Sequence, residues 1–153
     1  MDTLRTEFLC EISADLETPQ RIGATPHGTR LVVYVKGGAV EGPNLRGKVL
    51  PGGGDWLLVR PDGATEFDVR GTLESDDGHV FYVQHRGIMH APPPILQRLQ
   101  QGERDLDPSL YYFRITPTFE TGSEKYAWLN HLVSVGVGRR TPTGLSYRIY
   151  AIL

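Results

Sequence analysis

The sequence predicts an all-β fold: one antiparallel β-barrel of about eight or nine strands, with at most one short helix. Eighteen glycines and 11 prolines fall between short apolar runs, the pattern in which turns punctuate strands. The runs follow one another closely, and none is separated from the next by the long helix that a parallel βαβ unit requires. Within them apolar and polar residues alternate with the two-residue period of an extended chain.

Strands are expected, in order, at Thr6 to Ser13, Arg30 to Lys36, Leu45 to Leu50, Trp56 to Arg60, Ala64 to Glu74, His79 to Met89, Tyr111 to Phe119, Leu132 to Arg139 and Gly144 to Ile152. Pro61-Asp62-Gly63 and Asp76-Asp77-Gly78 join neighbours at hairpin distance, because proline presets φ and glycine accepts positive φ. Pro92, Pro93 and Pro94 precede the one amphipathic run, Ile95 to Gln101, with Ile95, Leu96 and Leu99 on one side. This run either caps a barrel mouth or makes a single helical turn in a surface connection. No repeat, low-complexity block or linker divides the chain, so residues 1–153 are expected to form one domain.

Composition narrows the partners. Sixteen basic against 18 acidic side chains leave a net charge of -2, which gives no electrostatic reason to expect a nucleic acid or an anionic membrane. Cys10 is the only cysteine, so there is neither an intramolecular disulfide nor a zinc site of several thiolates. The first residues, MDTLRTEFLCEISADLE, lack the basic start and apolar run of a signal peptide, and no segment reaches the roughly 20 apolar residues of a membrane span. A soluble cytoplasmic protein is expected. The five histidines include no HExxH or similar pair, so only ligands converging from separate strands would make a metal site, and none is expected.

Two glycine-rich stretches resemble nucleotide loops only superficially. PGGGDW, Pro51 to Trp56, lacks the Lys-Ser/Thr that reaches phosphate and magnesium; its glycines are expected to bend the chain at a barrel rim, leaving Asp55 and Trp56 at the mouth. GVGRR, Gly136 to Arg140, lacks the third glycine of a dinucleotide site, and its small residues are expected to admit close packing. No G-x-S-x-G elbow is present.

Parity sorts each strand into two faces. Phe67, Val69, Gly71 and Leu73 oppose Glu66, Asp68, Arg70, Thr72 and Glu74; Phe81 and Val83 oppose Tyr82, Gln84 and Arg86. Phe113 and Ile115 oppose Tyr112, Arg114 and Thr116, and Val133, Val135 and Val137 oppose Ser134, Gly136 and Gly138. Two arrangements satisfy this split. The apolar face packs on the core and the polar face meets water, or the polar face lines a barrel lumen whose apolar outside is covered by other segments or a partner subunit. The preference for Arg and Tyr over Lys suits a face that recognises planar or anionic groups, and in the second arrangement Asp68, Arg70, Tyr82, Arg86, Tyr112 and Arg114 share one pocket.

The stretch FETGSEKYAWLN, Phe119 to Asn130, gathers Glu120, Glu124, Tyr126, Trp128 and Asn130 between two strands. It reads either as a turn whose aromatic rings fill core space or as a carboxylate held beside rings, where a raised pKa suits general acid or base chemistry. Glu120 and Asp68 are the two candidates for that role.

Three blocks in order, PGGGDW, FDVRGTLESDDGHVFYVQHRGI and YFRITPTFETGSEKYAWLNHLVSVGVGRR, resemble the bacterial and fungal family known as domain of unknown function 3237, over nearly the whole chain from about Phe8. The matching positions are Gly54, Asp55, Trp56, Asp68, Arg70, Tyr82, Arg86, Gly87, Arg114, Glu120, Trp128 and Asn130. In the family an aromatic residue often follows the position of Arg70; here it is Gly71. The resemblance implies a small barrel similar to those of allene oxide cyclase and dirigent proteins, whose members bind apolar or aromatic metabolites and steer cyclisation or coupling, usually without a cofactor.

Two functional readings follow. The first is a cofactor-independent isomerase, cyclase or lyase acting on an oxygenated aromatic or unsaturated carbonyl metabolite. Catalytic Asp68 or Glu120 moves a proton and Tyr82 donates a hydrogen bond, while Trp56, Arg70, Arg86, Tyr112, Arg114, Trp128 and Asn130 bind substrate. The second is a non-catalytic ligand-binding or homo-oligomeric module, in which Asp68 and Arg70 form a structural ion pair and an outward Phe and Val set joins copies of the chain.

Overall fold

Antiparallel pairing runs around the whole wall of the molecule. The computed structural model describes residues 2–153. Its strands are β1 (Thr6–Leu16), β2 (Gln20–Thr25), β3 (Gly28–Glu41), β4 (Gly47–Val49), β5 (Gly54–Val59), β6 (Thr65–Ser75), β7 (Val80–His90), β8 (Tyr112–Glu120), β9 (Val133–Thr141) and β10 (Gly144–Ile152), with one helix, α1 (Pro93–Gln100), and 3-10 turns at Pro108–Leu110 and Ala127–His131. Neighbours run β1, β10, β9, β8, β7, β6, after which β4 and β5 share one position and both pair with β3; β3 then closes onto β1. The result is a closed eight-stranded barrel with two extra strands.

The hairpins form where expected. Gly63 and Gly78 both take φ +88, and the second turn holds β6 and β7 in continuous register from Thr65 opposite Met89 to Glu74 opposite Val80. Strand β2 was not anticipated. It pairs with β3 alone, and its only large apolar residue, Ile22, is 55% exposed, so no buried face marks it in the sequence. Strand β3 also runs past the expected Lys36, through Gly37 and Gly38 to Glu41, because two glycines that read as punctuation continue an extended chain.

The barrel interior is apolar. Phe67, Leu73, Phe81, Phe113, Ile115, Phe119 and Ile149 are buried there, and eight strands enclose a space just wide enough for such side chains. The Phe67 and Phe113 rings stack with centroids 4.7 Å apart. On the facing strand, Gly138 leaves room for them: a Cβ at this position would lie 2.7 Å from the Phe113 ring. The close packing expected of GVGRR is thus a ring seated against a glycine.

This inward placement settles the choice left open by parity. The polar set faces outward, so Asp68, Arg70, Tyr82, Arg86, Tyr112 and Arg114 do not share a lumen, and the Phe set expected to join copies of the chain fills the core with Val83, whereas β9 is inverted: Val133 and Val137 are exposed on the outer wall and Ser134, Gly136 and Gly138 are buried. The reason is desolvation. Several guanidinium groups inside so narrow a barrel would lack enough partners to offset the loss of water, whereas the rings gain by burial.

Both barrel ends are covered. At one end α1 begins two residues earlier than expected, with prolines in its first turn. Its Leu99 is buried along with Leu106 and Tyr111. Arg140 Nη1 donates to the Leu99 carbonyl at 2.8 Å, and Arg104 donates to the carbonyls of Thr141 and Gly144 at 2.6 and 2.7 Å. The helix therefore caps a mouth rather than lying on the surface. At the other end Leu45, Tyr126 and Leu129 are buried. Tyr126 packs edge-on against Phe81 and donates its hydroxyl to Asp77 at 2.9 Å, tying the Phe119–Asn130 stretch to the β6–β7 turn. No helix among the described residues is long and apolar enough to cross a membrane.

Candidate active site in the barrel lumen

The polar residues that the barrel does bury are few. Asp55 and His85 are each 5% exposed and Tyr147 is sealed among rings. Register places Asp55 beside Val69, and Val69 beside His85, so the carboxyl and the imidazole lie on one level of the wall, two strands apart. The Tyr147 ring meets that of His85 edge-on, with centroids 5.0 Å apart, and also meets Phe113 at 5.6 Å. Three proton-bearing side chains from β5, β7 and β10 thus face the apolar lumen at mid-height.

Each is tuned by its surroundings. Burial pushes the Asp55 carboxyl from 3.8 up to about 7; the Asp68 backbone N–H, which donates to Asp55 Oδ1 at 3.1 Å, opposes this, and the Asp68 charge adds to it. That amide is free for a side chain because β5 and β6 skip two rungs, between Asp55 opposite Val69 and Leu58 opposite Glu66. Burial holds His85 neutral, lowering its imidazole from 6.5 to about 4, and its Nδ1 is buried with no hydrogen-bond partner. Tyr147 stays a phenol, raised well above 10.0 by burial and then by Asp55. Near neutrality the set offers a carboxyl able to give or take a proton, an imidazole nitrogen without a partner, and a neutral hydroxyl.

The expected site residues lie elsewhere, mostly on the outer wall. Asp68 faces Arg86 across β6 and β7, but at 3.9 Å, with the Arg86 side chain 76% exposed, the pair is a loose surface contact. It is also Arg86, not Arg70, that Asp68 meets. Tyr82 donates to Gln84 at 3.2 Å and stands opposite Glu120. Arg114 lies over the Tyr112 ring at 4.7 Å. Asn130 brackets the backbone of Thr121, accepting at 2.8 Å and donating at 3.0 Å. Trp128, 41% exposed, borders a separate surface groove of about 570 Å³ with Phe8, Tyr126 and Leu132. Trp56 points outward against Tyr34, whereas Asp55 is not at a rim but in the wall. Among the described residues no three His, Cys, Asp or Glu side chains are placed to share a metal ion.

Sequence reasoning missed His85 and Tyr147. The signal was present: His85 shares the parity of Phe81, Val83 and Met89, and Tyr147 that of Leu145 and Ile149. A titratable group on an otherwise apolar inward stripe is the mark of a polar group placed in a lumen.

Fold and site together define a small closed barrel with a polar set inside an aromatic lumen. The chain belongs to the family described as Protein of unknown function (DUF3237), whose model matches residues 4–152. It is 40% identical over 147 residues to a UPF0311 protein of Clostridium acetobutylicum, covering 95% of this chain and 92% of that one. A crystal structure of a conserved protein of unknown function from Rhodopseudomonas palustris superimposes with a TM-score of 0.96 at 34% identity over the full length of both chains. A β-barrel-like protein from Acinetobacter baumannii gives 0.87 at 37%, covering 100% and 98%. Two fungal proteins are more distant: PR-toxin biosynthesis cluster protein 7 of Penicillium roqueforti, 28% identical over 155 residues with 88% and 82% covered, and a structure described as an enzyme from Penicillium herquei, with a TM-score of 0.73 at 20% identity, covering 100% and 97%.

Proposed function

We propose that this barrel binds a small oxygenated aromatic or unsaturated carbonyl metabolite in its lumen and moves a proton on it, as a cofactor-independent isomerase, cyclase or lyase. The convergence of Asp55, His85 and Tyr147 among the aromatic side chains of the barrel interior carries the reading. The rings of Phe67, Phe113 and Phe81 favour a flat apolar body, and the three polar groups favour an oxygen substituent on it. Asp55 takes or gives the proton, Tyr147 donates to the oxygen on which charge develops, and His85 accepts from a substrate hydroxyl. The fungal relative belonging to a toxin biosynthesis cluster and the distant neighbour described as an enzyme agree with chemistry on a secondary metabolite.

Proton transfer has a direct readout in heavy water. Incubating the protein with a panel of phenols and α,β-unsaturated ketones and following deuterium incorporation by NMR is expected to reveal at least one compound whose exchange is accelerated. Asp55→Asn, which retains an acceptor for the Asp68 amide, is expected to cut that acceleration ~100-fold or more, the scale of a lost general acid or base. Equal exchange in both proteins removes Asp55 from the role.

A further inference from the structure

With both ends capped, a ligand needs another way into the lumen, and the wall has one weak position. Strand β4 stops at Val49, opposite Leu73, and β5 starts at Gly54, opposite Arg70. Gly71 and Thr72 therefore face the turn Leu50 to Gly53 instead of a strand. That turn is held by backbone bonds only: Leu50 N to Thr72 O at 2.9 Å, Gly52 N to Val35 O at 3.3 Å and Val35 N to Gly53 O at 2.8 Å. Gly71 has the inward parity of Val69 and Leu73, yet a Cβ on it would meet nothing within 4 Å. Val35 and Val69 on either side pack against the core but remain partly accessible. There is thus open space beside the residue that separates Asp55 from His85.

We propose that the lumen is reached through the wall at the split between β4 and β5, and that Gly71 sets the width of this passage, admitting flat, uncharged, single-ring molecules. The inference rests on the lumen being the binding site. Val35, Val69 and Gly71 offer a charged group nothing to replace its water, so a ligand passes in neutral form. An eight-stranded lumen has room for little more than one ring.

The test uses diethyl pyrocarbonate, a small uncharged reagent that acylates unprotonated imidazole, with each histidine read by peptide mass spectrometry. In the wild type His85 is expected to react, more slowly than exposed His27, His90 and His131. Gly71→Phe is expected to slow His85 at least ten-fold and leave the exposed histidines unchanged, which also reports an intact fold. Gly71→Cys gives a reversible version should Phe disrupt the wall. A benzyl methanethiosulfonate cap on the new thiol slows His85, and dithiothreitol restores it; Cys10, fully buried and with its thiol pushed up to about 12, is not capped. A His85 rate indifferent to the cap overturns the passage while leaving the lumen site standing. A His85 that never reacts in the wild type shows a sealed wall and also overturns it. Loss of exchange in Asp55→Asn is read separately, so the two ideas fail independently.

Discussion

Asp55 and His85 are destabilised as ions in opposite directions, and the pH dependence of folding separates them. Asp55 has a folded pKa of about 7 against an ordinary 3.8, so the folded state holds a proton that the unfolded state releases, and stability falls as pH rises from about 4 to 7. The full effect, roughly 4 kcal/mol at most, is reached above pH 7. His85, lowered from 6.5 to about 4, costs stability as pH falls through that interval, so its contribution rises with pH. In the wild type the two slopes largely cancel between pH 4 and 6.5. Urea denaturation across this range is expected to show Asp55→Asn gaining stability with pH and His85→Gln losing it, each relative to the wild type. Two parallel profiles contradict the assignment of either group to a buried site.

At the scale of the element, side-chain packing is close where β8 meets β9. A methyl on Gly138 collides with the Phe113 ring at 2.7 Å, so Gly138→Ala is expected to cost about 1–3 kcal/mol in chemical denaturation. Adding Phe113→Leu, which shrinks the colliding group, is expected to recover part of the loss; simple additivity of the two contradicts the contact. The elements themselves were largely legible. Nine of the ten strands, both Gly-containing hairpin turns and the helix after Pro92 follow from periodicity and turn chemistry, since local rules produce them. Strand β2 was not legible, because an exposed ribbon leaves no apolar alternation, and neither was the full length of β3, whose continuation depends on pairing with β1 and β4.

For the whole molecule, parity identified the two faces but not which is inside. That depends on closure, which brings β3 back to β1 from distant parts of the chain. Once closed, the barrel turns an Arg and Tyr face outward and brings Asp55, His85 and Tyr147 together among the rings of its lumen. The residue types that drew notice in the sequence were thus abundant on a solvated wall. The ones that now matter were single polar departures in apolar stripes, each unremarkable until three strands place them together.

The most direct measurement is a residue-resolved NMR titration with 4-methylphenol, a flat, single-ring oxygenated aromatic probe, with labels on histidine rings, aspartate carboxyls and tyrosines. The lumen account predicts saturable shifts at Asp55, His85 and Tyr147, while exposed Asp62, and Tyr82 and Tyr112 on the outer wall, stay unchanged. Shifts confined to the outer wall, or to the groove beside Phe8 and Trp128, contradict it.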